Sequence, residues 1–286
     1  MRQRETGLVV TGLTLAAVML GAVAPAEAAK TPKRNDSKTE DVLLVHGIDW
    51  LGEASFDCKS GWNNLKKEFK EHYWKGKVRS VAFYKKDKNC DLRIAKAGAN
   101  DSIEKLGKAL ANKIYSEYTS KGRSVDLVGH SMGGLVIREA LSGVAKKKRG
   151  YPSKLFVEDV VTLGTPHEGT NSSLCLYTAC AQMRKKSGFL KQLQKNPQSA
   201  QGTDWTAIAS DSDEAVGEDT ATAGGVKHWV RYKNLPGAKD HSGLRTTRNK
   251  TLTLKWRNLP KAATGWRQGD APLEMTRSAL YWHSKW

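Results

Sequence analysis

The chain has 286 residues, 39% hydrophobic and 27% charged, which suits one large globular domain with room for an appendage. Its net charge of +18 favours anionic surfaces such as phospholipid headgroups or wall polymers. The basic residues are spread along the chain and no nucleic-acid-binding motif gathers them, so nucleic acid is excluded as a partner.

The opening stretch has Arg2 and Arg4, an apolar run from Gly7 to Val23, and Ala26-Glu27-Ala28. This pattern predicts a secretory signal over residues 1–28, cleaved after Ala28; an uncleaved anchor is the alternative. No later apolar run approaches the roughly 18 residues of a membrane span, so a soluble secreted product is expected. Residues 29–40, "AKTPKRNDSKTE", are polar and basic and predict a flexible mature N-terminus.

"DVLLVHG" (41–47) then reads as a buried strand ending at a glycine. "GWNNLKKEFKEHYW" (61–74) reads as a helix and "VRSVAFY" (78–84) as a second strand. Residues 101–118 form an amphipathic helix with Ile103, Leu106, Leu110 and Ile114 on one face, capped by Asp101 or Ser102. A strand at 124–129 leads into a helix ending near "KKKR" (146–149), and further strands are expected at 155–164, 203–210 and 225–234. Alternating strands and helices of this kind indicate an α/β fold with a mostly parallel central sheet flanked by helices. Residues 170–202 interrupt the series, as a cover over a site or a surface excursion. Residues 246–286 are an extension packed on the domain, where "TLTLKW" (251–256) alternates as a strand does.

Export favours disulfides. Cys58, Cys90, Cys175 and Cys180 read as two bridges, with Cys58–Cys90 and Cys175–Cys180 the preferred pairing of three. No C-x-x-C pair supports a zinc site, and no carboxylate cluster has calcium-ligand spacing. No metal or other cofactor is expected.

The chemistry centres on "SVDLVGHSMGG" (124–134). Gly129-His130-Ser131-Met132-Gly133 joins an apolar strand to a helix carrying Leu135, Val136, Ile137, Ala140, Leu141 and Val144. A turn this sharp holds the serine in a strained conformation, and bulky residues two positions away would strike neighbouring backbone. Ser131 is therefore the candidate nucleophile. A hydroxyl needs a base, and the base needs an acid to orient it. In this arrangement both follow the serine, acid first, on loops at the C-terminal edge of the sheet. His46, His72 and His130 precede or lie within the turn. His167 comes too early, His228 sits in a strand and His283 lies at the terminus. His241, in the loop "PGAKDHSGL", is the best-placed base. Asp213, just after the strand "TDWTAIAS", is the preferred acid and Asp211 the alternative. The backbone N–H groups of Met132 and Ile48 are the candidate oxyanion donors, with His46 and Gly47 shaping the loop.

The motifs "LLVHGI", "DLVGHSMGG", "VTLGTPHEGT", "DWTAIASDSDEAV" and "HSGL" occur in order over residues 41–245. Together they resemble the α/β-hydrolase fold of small secreted bacterial lipases of the triacylglycerol-lipase type. The resemblance implies a Ser131–Asp213–His241 triad, oxyanion donors at Ile48 and Met132, and cofactor-free hydrolysis of acyl esters through an acyl-enzyme. It also implies that Thr165–Gly169 lines the site. The 170–202 insert, the tail and the positive charge have no counterpart in that pattern. Expected partners are an ester or lipid substrate and anionic lipid surfaces, and the protein is expected to be monomeric. The alternatives are a phospholipase or acyltransferase using the same triad, and a non-catalytic basic binding protein. A histidine base also predicts activity that falls on the acid side of about pH 6–7.

Overall fold

Residue alternation in the strands sets up two cores. In the computed structural model, which describes residues 30–35, 37–170, 176–237 and 239–281, β1 (Asp41–Val45) is buried throughout. Leu43 and Val45 face one core while Val42 and Leu44 face the other, as a two-residue period requires. A strand covered on both faces reads as a continuous apolar run, which is why "DVLLV" shows no polar alternation.

β1 pairs with β2 (Val78–Tyr84), and β3 (Leu92–Ala97) closes that side. On the other side lie β4 (Val125–His130), β5 (Val157–Leu163), β6 (Asp204–Ser210) and β7 (His228–Tyr232), all parallel. β8 (Thr251–Asn258) and β9 (Arg267–Asp270) then add antiparallel, giving nine strands in the order β3-β2-β1-β4-β5-β6-β7-β8-β9. One face is covered by α2 (Ile103–Glu117) and α3 (Met132–Ala145). The opposite face is covered by α1 (Cys58–Glu71) and α6 (Pro272–Tyr281). This is the α/β-hydrolase fold, and it places the loops after β1, β4, β6 and β7 at one edge.

Several elements differ from the sequence reading. α1 begins at Cys58 because Asp57 caps it, accepting from Lys59 N at 3.0 Å. Of the two caps considered for α2, Ser102 serves, while Asp101 accepts from Gly98 N at 2.8 Å. β3 had no anticipated counterpart. Residues 246–281 supply two strands of the main sheet and a helix packed beside α1 and across β5 and β6. Within the 170–202 insert, α4 (Thr178–Met183) and α5 (Gly188–Gln192) bury Ala179, Cys180, Met183, Phe189 and Leu190 in the core. These residues, with Leu193, cover the sheet as part of its packing.

Before β1, Arg34 pairs with Asp159 at 2.8 Å, and Asn35 N donates to Glu158 at 2.9 Å. Cys58 and Cys90 form a disulfide that ties the start of α1 to the β2–β3 loop. Cys180 is also disulfide-bonded. Cys175, His283 and the expected secretory segment lie outside the described residues. Among the described residues, no helix is long and apolar enough to cross a membrane.

Candidate active site

Ser131 stands between β4 and α3 with φ 55° and ψ −128°, a conformation that costs a non-glycine residue on the order of 1–3 kcal/mol. The turn is tight enough to require its glycines. A Cβ on Gly129 would lie 2.6 Å from Gly134 backbone, and one on Gly133 would lie 2.2 Å from the Val45 carbonyl oxygen. The Ser131 amide donates to Leu163 O at 2.8 Å, and Thr165 Oγ1 donates to Ser131 O at 2.9 Å. Thr165 belongs to the "TPHEG" segment, so that segment buttresses the elbow from behind.

The loops after β6 and β7 bring Asp213 and His241 together. Asp213 Oδ2 accepts from His241 Nδ1 at 2.8 Å, and Asp213 Oδ1 accepts from the Ala215 and Val216 amides at 2.8 and 2.9 Å. Three donors fix the carboxylate in place. A Cβ on Gly164, whose φ is +55°, would lie 3.0 Å from Asp213 Oδ2 and 3.1 Å from His241 Nδ1, so the bare glycine gives the pair its room. With Nδ1–H given to Asp213, the lone pair of His241 lies on Nε2. That atom is buried and has no protein hydrogen-bond partner, Ser131 Oγ included.

Asp211, the alternative acid, lies beside Lys255 at 3.9 Å, and His241 Nδ1 contacts Asp213 instead. Burial raises its pKa and Lys255 counters. Among the other histidines, His167 contacts Thr162 Oγ1 at 3.0 Å, and burial, then the Arg138 charge, push its pKa down to about 3. His228 contacts Asp204 at 3.3 Å. Burial opposes its protonation, yet the Asp204 contact prevails and its pKa is raised.

Ser131 and His241 line a cavity of about 260 Å³ together with Ile48, Phe56, His130 and Arg245. Met132 opens α3, where the first amides have no acceptor one turn back. Ile48 follows β1 in the cavity wall. Both candidate oxyanion donors therefore belong to segments bordering Ser131.

Two supports were not read from the sequence in full. His46 is wholly buried, stacked between Phe56 at 4.3 Å and Phe83 at 3.9 Å. Its Nδ1 donates to Gly47 O at 2.9 Å, and its Nε2 contacts Asp87 Oδ2 at 3.0 Å. Asp87 also accepts from the Phe83 and Tyr84 amides at 2.8 and 2.7 Å. The Gly47 carbonyl and the Ile48 N–H share one planar trans peptide and point opposite ways. Gripping the carbonyl from His46 thus turns the Ile48 N–H away from His46. The "HGI" motif signalled a shaping role for His46, but nothing marked Asp87. The second support is His130, whose Nε2 donates to His241 O at 2.8 Å. Burial, then the neighbouring His241 and Arg245, hold its pKa well below the ordinary value, so it acts as a neutral donor fixing the His241 backbone. None of the described residues 176–202 lines the cavity.

A strained serine between a parallel strand and a helix, with an acid and a histidine on later loops, defines the class of the α/β-hydrolases. Residues 39–257 match the model of the class 2 lipases, and the chain belongs to that family. Lipase 1 of Staphylococcus aureus (strain MRSA252) is 30% identical over 181 residues, which cover 50% of this chain and 26% of that protein. The GPI inositol-deacylase of Candida albicans is 33% identical over 129 residues, 44% of this chain and 30% of that protein. The chain thus spans less than a third of these relatives' length. Among solved structures, the mature Bacillus licheniformis lipase BlEst2 superposes with a TM-score of 0.46 at 21% identity, covering 77% of this chain and 92% of that one.

Proposed function

We propose that the protein is a secreted serine carboxylic-ester hydrolase of lipase or esterase type. The observation that carries this reading is the 2.8 Å Asp213–His241 contact, which leaves a partnerless imidazole nitrogen in the cavity that holds the strained Ser131. Ser131 Oγ turns toward His241 Nε2 and gives up its proton as it attacks the ester carbonyl. The Ile48 and Met132 amides receive the negative oxygen of the tetrahedral intermediate. His241 then protonates the departing alkoxide, leaving an acyl group on Ser131. Water, deprotonated by the same nitrogen, releases the acid. Asp213 keeps Nδ1 protonated throughout and stabilises the transient imidazolium. The Cys58–Cys90 bridge accords with export into an oxidising space.

The deciding experiment is hydrolysis of a short-chain p-nitrophenyl ester. Ser131→Ala is expected to lower kcat by about 10⁶-fold while the folded state persists by circular dichroism. A fluorophosphonate should label the wild type at Ser131. Retention of activity within tenfold in the variant overturns the reading.

A second reading, phospholipid hydrolysis by the same residues, draws on Arg245. It lines the cavity, donates to Gly61 O at 2.9 Å and lies over the Phe56 ring. Burial lowers its pKa, and no carboxylate pairs with it among the described residues. A headgroup phosphate would supply the missing counter-charge. Comparing rates on anionic phospholipid, triglyceride and neutral short-chain ester separates the two readings.

A further inference from the structure

We propose that a second cavity, of about 480 Å³, between α3, the loop after β5 and the α5 segment, binds a phosphoryl oxyanion. It shares no lining residue with the cavity of Ser131, so its occupant is not the ester being cleaved.

Arg138 forms the floor of this cavity and is only 4% exposed. Its Nε donates to Gln194 O at 2.8 Å and its Nη1 to His167 O at 2.7 Å. Both acceptors are neutral carbonyls, so neither balances the charge, and a guanidinium has further N–H donors besides. No carboxylate pairs with Arg138 among the described residues. Burial pulls its pKa down to about 10, with Glu168 opposing from a distance, and it stays cationic at neutral pH. A buried cation without a counter-ion carries a desolvation penalty that a bound anion offsets.

The walls add to the deficit of negative charge. Lys185, Lys186, Lys191 and Lys195 line the same cavity, and their ammonium groups make no ion pair among the described residues. Against these five cations stand Glu168 and Asp219, and Asp219 is already held by Arg231 at 2.9 Å. Another lysine-lined surface, along α1, behaves differently. There Lys66 pairs with Asp91 and Lys67 with Glu71, at 2.5 and 3.6 Å. His167 borders the Arg138 cavity as a buried neutral ring, and its Nδ1 has no partner. A planar guanidinium combined with several ammonium groups is a donor set suited to a multiply charged, many-oxygen anion. The volume accommodates a phosphoryl group with a small organic body. A lipid headgroup and a soluble phosphate ester share that chemistry.

The test is thermal unfolding of the full chain in inorganic phosphate against chloride at equal ionic strength. Phosphate should raise the Tm saturably in the wild type. The triple variant Lys185→Gln, Lys186→Gln, Lys191→Gln should weaken the apparent phosphate affinity by about tenfold or more. Lys67→Gln, Lys70→Gln, Lys75→Gln removes the same charge elsewhere and should leave it within about twofold. Sedimentation with phosphatidylglycerol vesicles assigns the source. Capture of the wild type but not of the first triple variant identifies a lipid headgroup; no capture identifies a soluble phosphate ester. If chloride stabilises as much as phosphate, or both triple variants respond alike, only the net charge is at work and the site is refuted.

Discussion

At the C-terminal ends of the parallel strands, buried carboxylates face imidazoles: Asp213 orients His241, and Asp87 orients His46. At the N-terminal ends, Asp126, Glu158 and Asp159 crowd against one another. Burial, then the Asp159 and Glu158 charges, raise the Asp126 pKa well above its ordinary 3.8. Burial likewise raises that of Glu158, while Asn35 N helps to hold it ionised. Arg34 supplies one compensating cation, at Asp159. The same chemical group thus does opposite things at the two ends. Facing a histidine it holds a ring in place; facing its own kind it is pushed toward its neutral form.

The sharpest way to break this contrast is at Asp213. Asp213→Asn should reduce kcat on a short-chain ester by about 10⁴-fold, because the tautomer is lost. Asp211→Asn, partly exposed and near Lys255, should stay within about threefold of wild type by the same assay. Equal losses would mean that proximity to the acidic stretch, and not orientation of the ring, is what matters. Next in size is the Cys58–Cys90 bridge, at the same end of the sheet. Replacing Cys58 and Cys90 by Ala opens a loop of sequence separation 32 and should cost about 3–4 kcal/mol in urea unfolding. A smaller loss would show that the β2–β3 loop keeps its place against α1 without the bridge.

The His46–Asp87 contact gives a third test. Under the proposed mechanism, in which the Ile48 N–H serves the transition state more than the bound ester, Asp87→Asn should lower kcat by about 10²-fold with little change in KM. A rise in KM at constant kcat would remove His46 from the oxyanion loop's support. The smallest effect is expected at the opposite end. A carboxyl whose pKa is raised on folding contributes stability that is complete below the ordinary value of 3.8 and is lost as pH climbs through the raised one. Asp126→Asn should therefore raise the Tm at neutral pH by about 2–4 °C, the shift of roughly 1 kcal/mol in a domain of this size. The advantage should shrink on acidification toward pH ~4. A variant less stable than wild type at neutral pH would show that the Asp126 acceptor bond to Asp159 N outweighs the repulsion.

Much of this could be read in the chain because the signals are local. β2 falls on the residues its apolar run marks, and β4 and α3 flank Ser131 as the glycine spacing requires. Asp213 and His241, chosen by their order along the chain as acid and base, lie 2.8 Å apart. What escaped is what depends on distant partners. β3, "LRIAKA", is a half-exposed edge strand whose pattern is too weak to separate from a loop. Asp87 lies in the polar run "YKKDKNC" and acquires its role only by meeting a ring 41 residues earlier in the chain. The 170–202 segment has no periodicity that reveals its burial, because the described residues it buries, Ala179, Cys180, Met183, Phe189, Leu190 and Leu193, fall in two short helices and just after the second.

The outermost strands carry a consequence for how the molecule coexists with copies of itself. Open sheets expose rows of amides and carbonyls at their margins, and a second chain can extend them by β-addition. Here one margin is β3, interrupted by Arg93 and Lys96, and the other is β9, only four residues long and reading Arg-Gln-Gly-Asp. Short, charged margins discourage such lateral growth. A truncation at residue 257, where the family match ends, would cut within β8 and replace that blunted border with a longer one carrying Leu252, Leu254 and Trp256.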